Sequence, residues 1–410
     1  MLSNGHDPRI LVFRTGQLGD MIISLPAMWA MRNLWPGAHL TLLSDVHPGQ
    51  NYVIGSQIFQ GAGIFDDFIH YEVPADSDGI VARAIKKFEL LRRLRSARFS
   101  TLVYLAASIR PRPLVERDRR FFKAAGVRQF YGMDHFPPVP AKDSPRPMPK
   151  AGHEADLILA RLRADGLTMP APGEGSLDLH LGAPEQAEFE KWLARERTKG
   201  LEGLRDQGTK GPRDRGTTGR LPDGQDSLLV PWSCGPVVPP FVAFGPGSKM
   251  PAKRWPLDRF AQVGHALIDQ FDIFPIVFGG AEDSPHAKHL LETWGRGYNA
   301  AGQLSLRGAA YAMGRCAFYV GNDSGAMHLA AAAGTPCVAV FSSRDWPGAW
   351  YPYGVRHQIL RSDIDCEGCY LTECLERKNE CLNRITVPQV LAACEAVLEE
   401  RRMEQVERRT

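Results

Sequence analysis

The sequence predicts an α/β protein built as two doubly wound, Rossmann-like domains that face each other across a cleft. Its 410 residues exceed what one ordinary core takes up and suit two domains with connections. In both halves short apolar runs alternate with helix-period segments, the pattern of parallel sheets covered by helices. Between the halves, residues 199–225 lose all apolar periodicity and carry the near-repeat RDQGTKG and RDRGTTG, which reads as a flexible insertion at a domain boundary.

In the first half, strands are expected at 10–13, 39–43, 102–105 and 129–131, with helices at 20–34, 80–97, 113–125 and 153–165. In 80–97 the apolar set Ile80, Ala84, Ile85, Phe88, Leu91 and Leu94 recurs at helical spacing, so its basic residues are expected to face outward. A short helix at 184–197 precedes the insertion. The second half predicts strands at 241–244, 275–278, 318–320 and 337–341, and helices at 257–269, 283–294, 305–313, 325–333 and 386–406. The domains are therefore read as 1–182 and 241–410, with 183–240 connecting them. Ligands of such units bind at the C-terminal ends of the strands.

Composition excludes several classes. At 44% hydrophobic and 23% charged, the chain is neither low-complexity nor fibrous. No run approaches the roughly 20 apolar residues of a membrane span. Residues 1–8 are polar and RILVF reads as a strand, not a cleavable apolar segment, so the cytoplasm is the expected location.

Three motifs carry chemistry. RTGQLGD follows the first strand, where Gly16 and Gly19 allow close backbone approach and Asp20 opens a helix. On its own Asp20 reads equally as a capping residue. In the second half, FGPGS followed by KRWP sets Gly247 and Ser248 beside the cations Lys253 and Arg254, which suits phosphate. Sharpest is GNDSGAMH, where Asp323, Ser324, Gly325 and His328 stand where a strand gives way to a helix of small residues. Such a helix start can approach a diphosphate.

In this order and spacing, RTGQLGDMIISLP, GPGSKMPAKRWP, FGGAEDS and GNDSGAMHLAAAAGTP resemble the ADP-heptose:lipopolysaccharide heptosyltransferases of glycosyltransferase family 9. The resemblance implies a GT-B fold and metal-independent, inverting transfer of heptose from ADP-heptose. It makes Asp20 the general base and Lys253 the cation that neutralises the leaving diphosphate. Ser324, Gly325 and His328 would hold the diphosphate, Asp323 the sugar hydroxyls, Glu282 or Asp283 the ribose, and the segment around Leu304 the adenine. Gly247, Ser248 and Arg254 complete the donor side; Gly16, Gly19, Arg110 and Arg112 belong to the acceptor side. No cofactor is required for catalysis. The alternatives are another nucleotide diphosphate sugar, a sugar-nucleotide epimerase, and a non-catalytic protein that binds polyanions or a membrane surface.

Residues 83–128 hold fourteen Lys and Arg against Glu89, Glu116 and Asp118. That field suits an anionic, lipid-linked saccharide acceptor and peripheral contact at the inner membrane face. Nucleic acid is not expected, because interleaved aromatic residues are missing. Cys366, Cys369, Cys374 and Cys381 have spacing within reach of a structural zinc site; packed thiols are the alternative.

Overall fold

The computed structural model describes residues 8–75, 77–138, 146–206 and 239–407. The first half runs β1 (Arg9–Phe13), α1 (Leu18–Ile23), α2 (Leu25–Leu34), β2 (His39–Val46), α3 (Gly55–Phe59), β3 (Asp67–Glu72), α4 (Ile80–Ala97), β4 (Thr101–Tyr104), α5 (Arg112–Ala124), β5 (Gln129–Tyr131) and α6 (Glu154–Ala164). Then come α7 (Ala183–Asp206), β6 (Phe241–Gly245), α8 (Leu257–Phe271), β7 (Phe274–Val277), α9 (Ser284–Trp294), β8 (Tyr298–Asn299), α10 (Leu306–Gly314), β9 (Tyr319–Asn322), α11 (Gly325–Ala332), β10 (Cys337–Phe341), β11 (Gln358–Arg361), α12 (Glu380–Asn383) and α13 (Val387–Glu407).

The strands form two parallel sheets, one of five strands in the order β3-β2-β1-β4-β5 and one of six in the order β11-β10-β9-β6-β7-β8. Central strands such as RILVF, past its leading Arg9, and CVAVF are apolar because helices cover both of their faces. In the first sheet the order reverses between β1 and β4, in the second between β6 and β9. Crevices open at the carboxyl ends of strands at such reversals. The loops expected to carry chemistry stand at these two places.

Several expectations are corrected. The helix expected at 20–34 is two helices meeting at Ser24. Pro26 has no N–H to give to Ile22, so the first helix cannot run through it. The edge strands β3 and β11 escape pattern reading because DFIHYE and QILR mix polar and apolar residues on partly exposed backbones. α7 continues through 199–206, where the insertion was expected to start; Leu201, Glu202, Leu204 and Arg205 favour helix there against Gly200 and Gly203. Residues 207–238, with most of the repeat, lie outside the described residues. α7 also packs on the second half's α10 and β8: Phe189 meets Tyr311, Trp192 meets Tyr298, and Glu188 accepts from Ser305 N at 2.6 Å.

The clearest departure is α4. Its bounds are as expected, but its apolar stripe points outward. Ile80, Val81, Ile85 and Phe88 are exposed, and Leu94 is the buried member of the set. The helix is seated by its other side, where Lys86 pairs with Glu72 at 3.3 Å and Asp78 at 3.0 Å. Arg95 Nε donates to Ala124 O at 2.7 Å and ties it to α5.

Candidate functional site

The first crevice is built on the loop after β1. Arg14 is fully buried, donating to Leu105 O at 2.7 Å, to Asp20 O at 3.0 Å and to Asp20 Oδ1 at 3.1 Å. Asp20 Oδ2 accepts from Gln17 N at 2.8 Å, so the carboxylate also caps its own helix. Both roles offered by the sequence are thus compatible, because each carboxylate oxygen keeps a further lone pair. Gly16 is required here: its φ is +123°, and a Cβ would lie 2.5 Å from Asp20 Cγ. Its N–H donates to Asp45 Oδ1 at 3.0 Å, and Tyr52 holds the other oxygen of Asp45 at 2.8 Å.

Behind this loop lie more buried charges. Glu154, at the start of α6, accepts from Ser108 N at 2.7 Å, and Arg161 donates to Ala106 O at 2.6 Å while its guanidinium covers the Phe136 ring. Burial pushes the Glu154 carboxyl up, against the pull of Arg14, Ser108 and Arg161. Burial, reinforced by Arg14, lowers Arg161 to about 10, which leaves it charged at neutral pH.

The second crevice is pinned by Asn322 at the end of β9. Its side chain accepts from Trp255 N at 3.0 Å and donates to Pro246 O at 2.7 Å, fixing the loop after β6 against the loop after β9. Trp255 is buried against Phe260 and donates through Nε1 to Ile385 O at 3.0 Å. Arg254 clips the same loop by donating to Ser248 O at 2.7 Å, and Ser248 Oγ reaches Asp323 O at 3.4 Å. Gly247 has no room for a side chain, since a Cβ would lie 2.3 Å from Asp283 Oδ1.

Lys253 is not a free cation. Its Nζ stands 2.6 Å from Asp323 Oδ2 and 3.2 Å from Asp345 Oδ2, and Arg344 also holds Asp345 at 2.7 Å. Burial opposes the ammonium, but the two carboxylates raise its pKa above the ordinary lysine value. Burial pushes the Asp323 carboxyl up, and Asp345 adds to this while Lys253 opposes it. Ser324 Oγ is buried beside the Tyr319 phenol without completing a hydrogen bond to it. His328 is buried on the first turns of α11, and burial, with His153 and Lys253 nearby, lowers its pKa to about 3. It is therefore a neutral imidazole at physiological pH and can offer phosphate an N–H but no charge.

The two crevices meet through α1 and α11. A Cβ on Gly19 would lie 2.8 Å from His328 Cδ2, and one on Gly325 would lie 2.9 Å from Leu18 Cβ. These glycines let the two helix starts touch, which sets Asp20 one residue from the contact. Lys249 Nζ bridges to Gln17 Oε1 at 2.7 Å and also to Asn51 O, while Asn51 Nδ2 donates to Glu282 Oε2 at 2.6 Å. The His153 ring accepts from Ala155 N at 3.1 Å and bonds Tyr351 O at 2.8 Å, joining α6 to the second half.

Other expected positions divide. Asp283 turns inward and accepts from Gly280 N at 3.0 Å, with its carboxyl pushed up by burial, so the outward Glu282 is the better placed of the two for a ribose. Leu304 is half-buried in a segment held by Gly302 N donating to Gly279 O at 3.1 Å. Arg110 pairs with Asp118 at 2.7 Å beside the end of β4. Arg112 faces away, paired with Glu116 and Asp134 at 3.1 Å each. Arg14, Asn51, Glu154, Lys249, Asn322 and Asp345 are the additions the structure makes. Of these, Arg14, Asn322 and Asp345 stand at or just after strand ends and could have been found by their positions. The others owe their roles to contacts distant in sequence.

The cysteine segment brings its four thiols near one another, with Cys366 and Cys381 pushed up by burial and by the neighbouring thiols. Cys366, Cys369, Cys374 and Cys381 are partly buried free thiols, and among the described residues no group of three or more His, Cys, Asp or Glu is arranged to hold a metal ion. The segment is shaped by ionic contacts: Glu367 pairs with Arg361 and accepts from Met148 N at 2.6 Å, and Arg344 donates to Leu371 O at 2.7 Å and Tyr370 O at 2.8 Å.

Comparisons with known proteins find likenesses over both halves. Residues 223–379 match the model of glycosyltransferase family 9 (heptosyltransferase). Lipopolysaccharide heptosyltransferase 2 of Escherichia coli K12 is 30% identical over 168 residues, which cover 39% of this chain and 47% of that protein. The chain thus matches about half the length of that relative. A glycosyltransferase family 9 structure from Veillonella parvula covers 96% of this chain and 98% of its own at TM-score 0.64 and 20% identity. E. coli heptosyltransferase WaaC, solved with ADP, covers 95% of this chain and 99% of its own at TM-score 0.59 and 16% identity. On a GT-B fold of two parallel-sheet halves, residues 223–379 are similar to glycosyltransferase family 9 (heptosyltransferase).

Proposed function

We propose that the protein is an inverting glycosyltransferase that moves heptose from ADP-heptose to a hydroxyl of an anionic, lipid-linked saccharide. The observation that carries this reading is the contact of α1 with α11, which sets the Asp20 carboxylate beside the start of a helix suited to a diphosphate. Asp20 takes the proton of the acceptor hydroxyl as its oxygen attacks the anomeric carbon. The bond from that carbon to the β-phosphate oxygen breaks on the opposite face, and ADP leaves with the bonding pair. The amides at the start of α11, the unpartnered Ser324 hydroxyl and the neutral His328 take up the charge that develops. Lys253 adds positive charge and holds Asp323 and Asp345 in place for sugar hydroxyls. ADP is favoured as the nucleotide because a heptosyltransferase of the same fold was solved with it. No helix among the described residues is long and apolar enough to cross a membrane.

Calorimetric titration of ADP, UDP, GDP and CMP tests the donor side. ADP is expected to bind tightest. Ser324→Ala should weaken it about tenfold, the worth of one hydrogen bond to a charged group, without loss of fold because that hydroxyl has no partner to lose. Tighter binding of UDP or GDP would reassign the donor.

A further inference from the structure

We propose that the outward face of α4 and α5 seats the protein on an anionic lipid bilayer, with Ile80, Val81, Ile85 and Phe88 entering the interface. These side chains are 88%, 72%, 52% and 65% exposed, although monomeric proteins seldom leave four large apolar residues together in water. They form one stripe opposite the side seated by Lys86 and Leu94, and Arg92 continues its line towards the C-terminal end. Helices that lie in a membrane interface share this character: an apolar face, flanking Lys and Arg, and low overall hydrophobicity.

Charge decides the occupant. α4 and α5 lie on the same face of the first sheet, and Arg95 and Lys87 hold them together through Ala124 O and the Phe121 ring. Lys87, Arg92, Arg93, Arg117, Arg120 and Lys123 are exposed across them. Two of the three acids in this region are already neutralised. Asp118 is engaged by Arg110 at 2.7 Å and Arg117 at 3.0 Å, and Glu116 by Arg112 at 3.1 Å. A twofold contact with a second copy would set this basic face against itself. Anionic headgroups neutralise it instead, each nearby Lys or Arg adding to the attraction.

Position supports the same occupant. α4 begins after the carboxyl end of β3 and α5 after that of β4, so Ile80 and Val81 stand at the end of the sheet where the first crevice opens. A bilayer at this face would present a lipid-linked acceptor beside Asp20. The inference thereby deepens the acceptor side of the proposed function and rests on it for its purpose, though not for its test.

The test is sedimentation of the full chain with phosphatidylcholine vesicles and with vesicles that also contain phosphatidylglycerol, with ADP binding and solution mass measured in parallel. The chain should partition onto the anionic vesicles. Ile85→Asp with Phe88→Asp should cut that partitioning by about tenfold or more. In a Phe88→Trp variant, the emission added over that of the unaltered chain should shift to the blue on those vesicles alone. Because both positions are exposed, the variants should keep wild-type ADP affinity. Equal partitioning of the double variant, an unshifted added emission from Phe88→Trp, or no partitioning of the unaltered chain overturns the proposal. So does a double variant that only turns a dimer into a monomer. Failure to bind vesicles with intact ADP binding overturns this inference alone; vesicle binding without nucleotide binding overturns the transferase reading alone.

Discussion

Asp20→Asn should lower turnover by about 10²- to 10⁴-fold, the usual contribution of a positioned general base, while ADP affinity stays within about twofold of the unaltered protein. The geometry explains why the effects separate. Asp20 accepts from Arg14 on one oxygen and from Gln17 N on the other, and neither contact belongs to the second crevice, where the nucleotide is proposed to lie. An asparagine keeps the shape but cannot take a proton, and its NH₂ must face one of those two donors. Steady-state kinetics beside calorimetry distinguish this outcome from simple misfolding, which would lower both readouts together.

Lys253→Met should have the second large effect, and on stability as well as on binding. Removing one member of a buried ion pair costs about 3–5 kcal/mol, and here the loss leaves Asp323 without its ion-pair partner, with only the more distant pull of Arg344, while Asp345 keeps Arg344 as a direct partner. Burial already raises the Asp323 carboxyl, and without Lys253 it rises further. A group whose pKa is higher in the folded than in the unfolded state binds more protons when folded, so stability falls as pH rises through that interval. The deficit of the variant should therefore be largest at neutral pH and shrink as the pH is lowered towards protonation of Asp323. Thermal denaturation of both proteins across that range measures it. A constant deficit would mean that Asp323 does not carry the uncompensated charge.

Much of this site was legible because it is local. The glycines of RTGQLGD and the small residues of GNDSGAMH announce close approach, and Gly16, Gly19 and Gly325 are sterically required where the chain folds over Asp20 or where α1 meets α11. The central strands were legible too, since strands buried on both faces are apolar without interruption. What escaped depends on partners distant in the chain. Nothing near Lys249 in sequence reveals Gln17 or Asn51 as its acceptors, and nothing near Arg14 reveals Leu105. Lys253 reads in sequence as a cation awaiting phosphate, whereas folding surrounds it with carboxylates from two later strand ends. For α4 the periodicity was correct but its direction was not, because spacing locates an apolar stripe without saying whether the sheet or the surroundings will cover it.

The central claim is acceptor-dependent transfer, and turnover of ADP-heptose followed by ADP release and by the proton NMR spectrum of the product tests it most directly. With an anionic, lipid-linked saccharide present, ADP should be released in step with transfer, and the anomeric configuration of the heptose should be inverted. Without the acceptor the nucleotide sugar should persist. Conversion of the nucleotide sugar in the absence of acceptor, or transfer with retained configuration, would contradict the account.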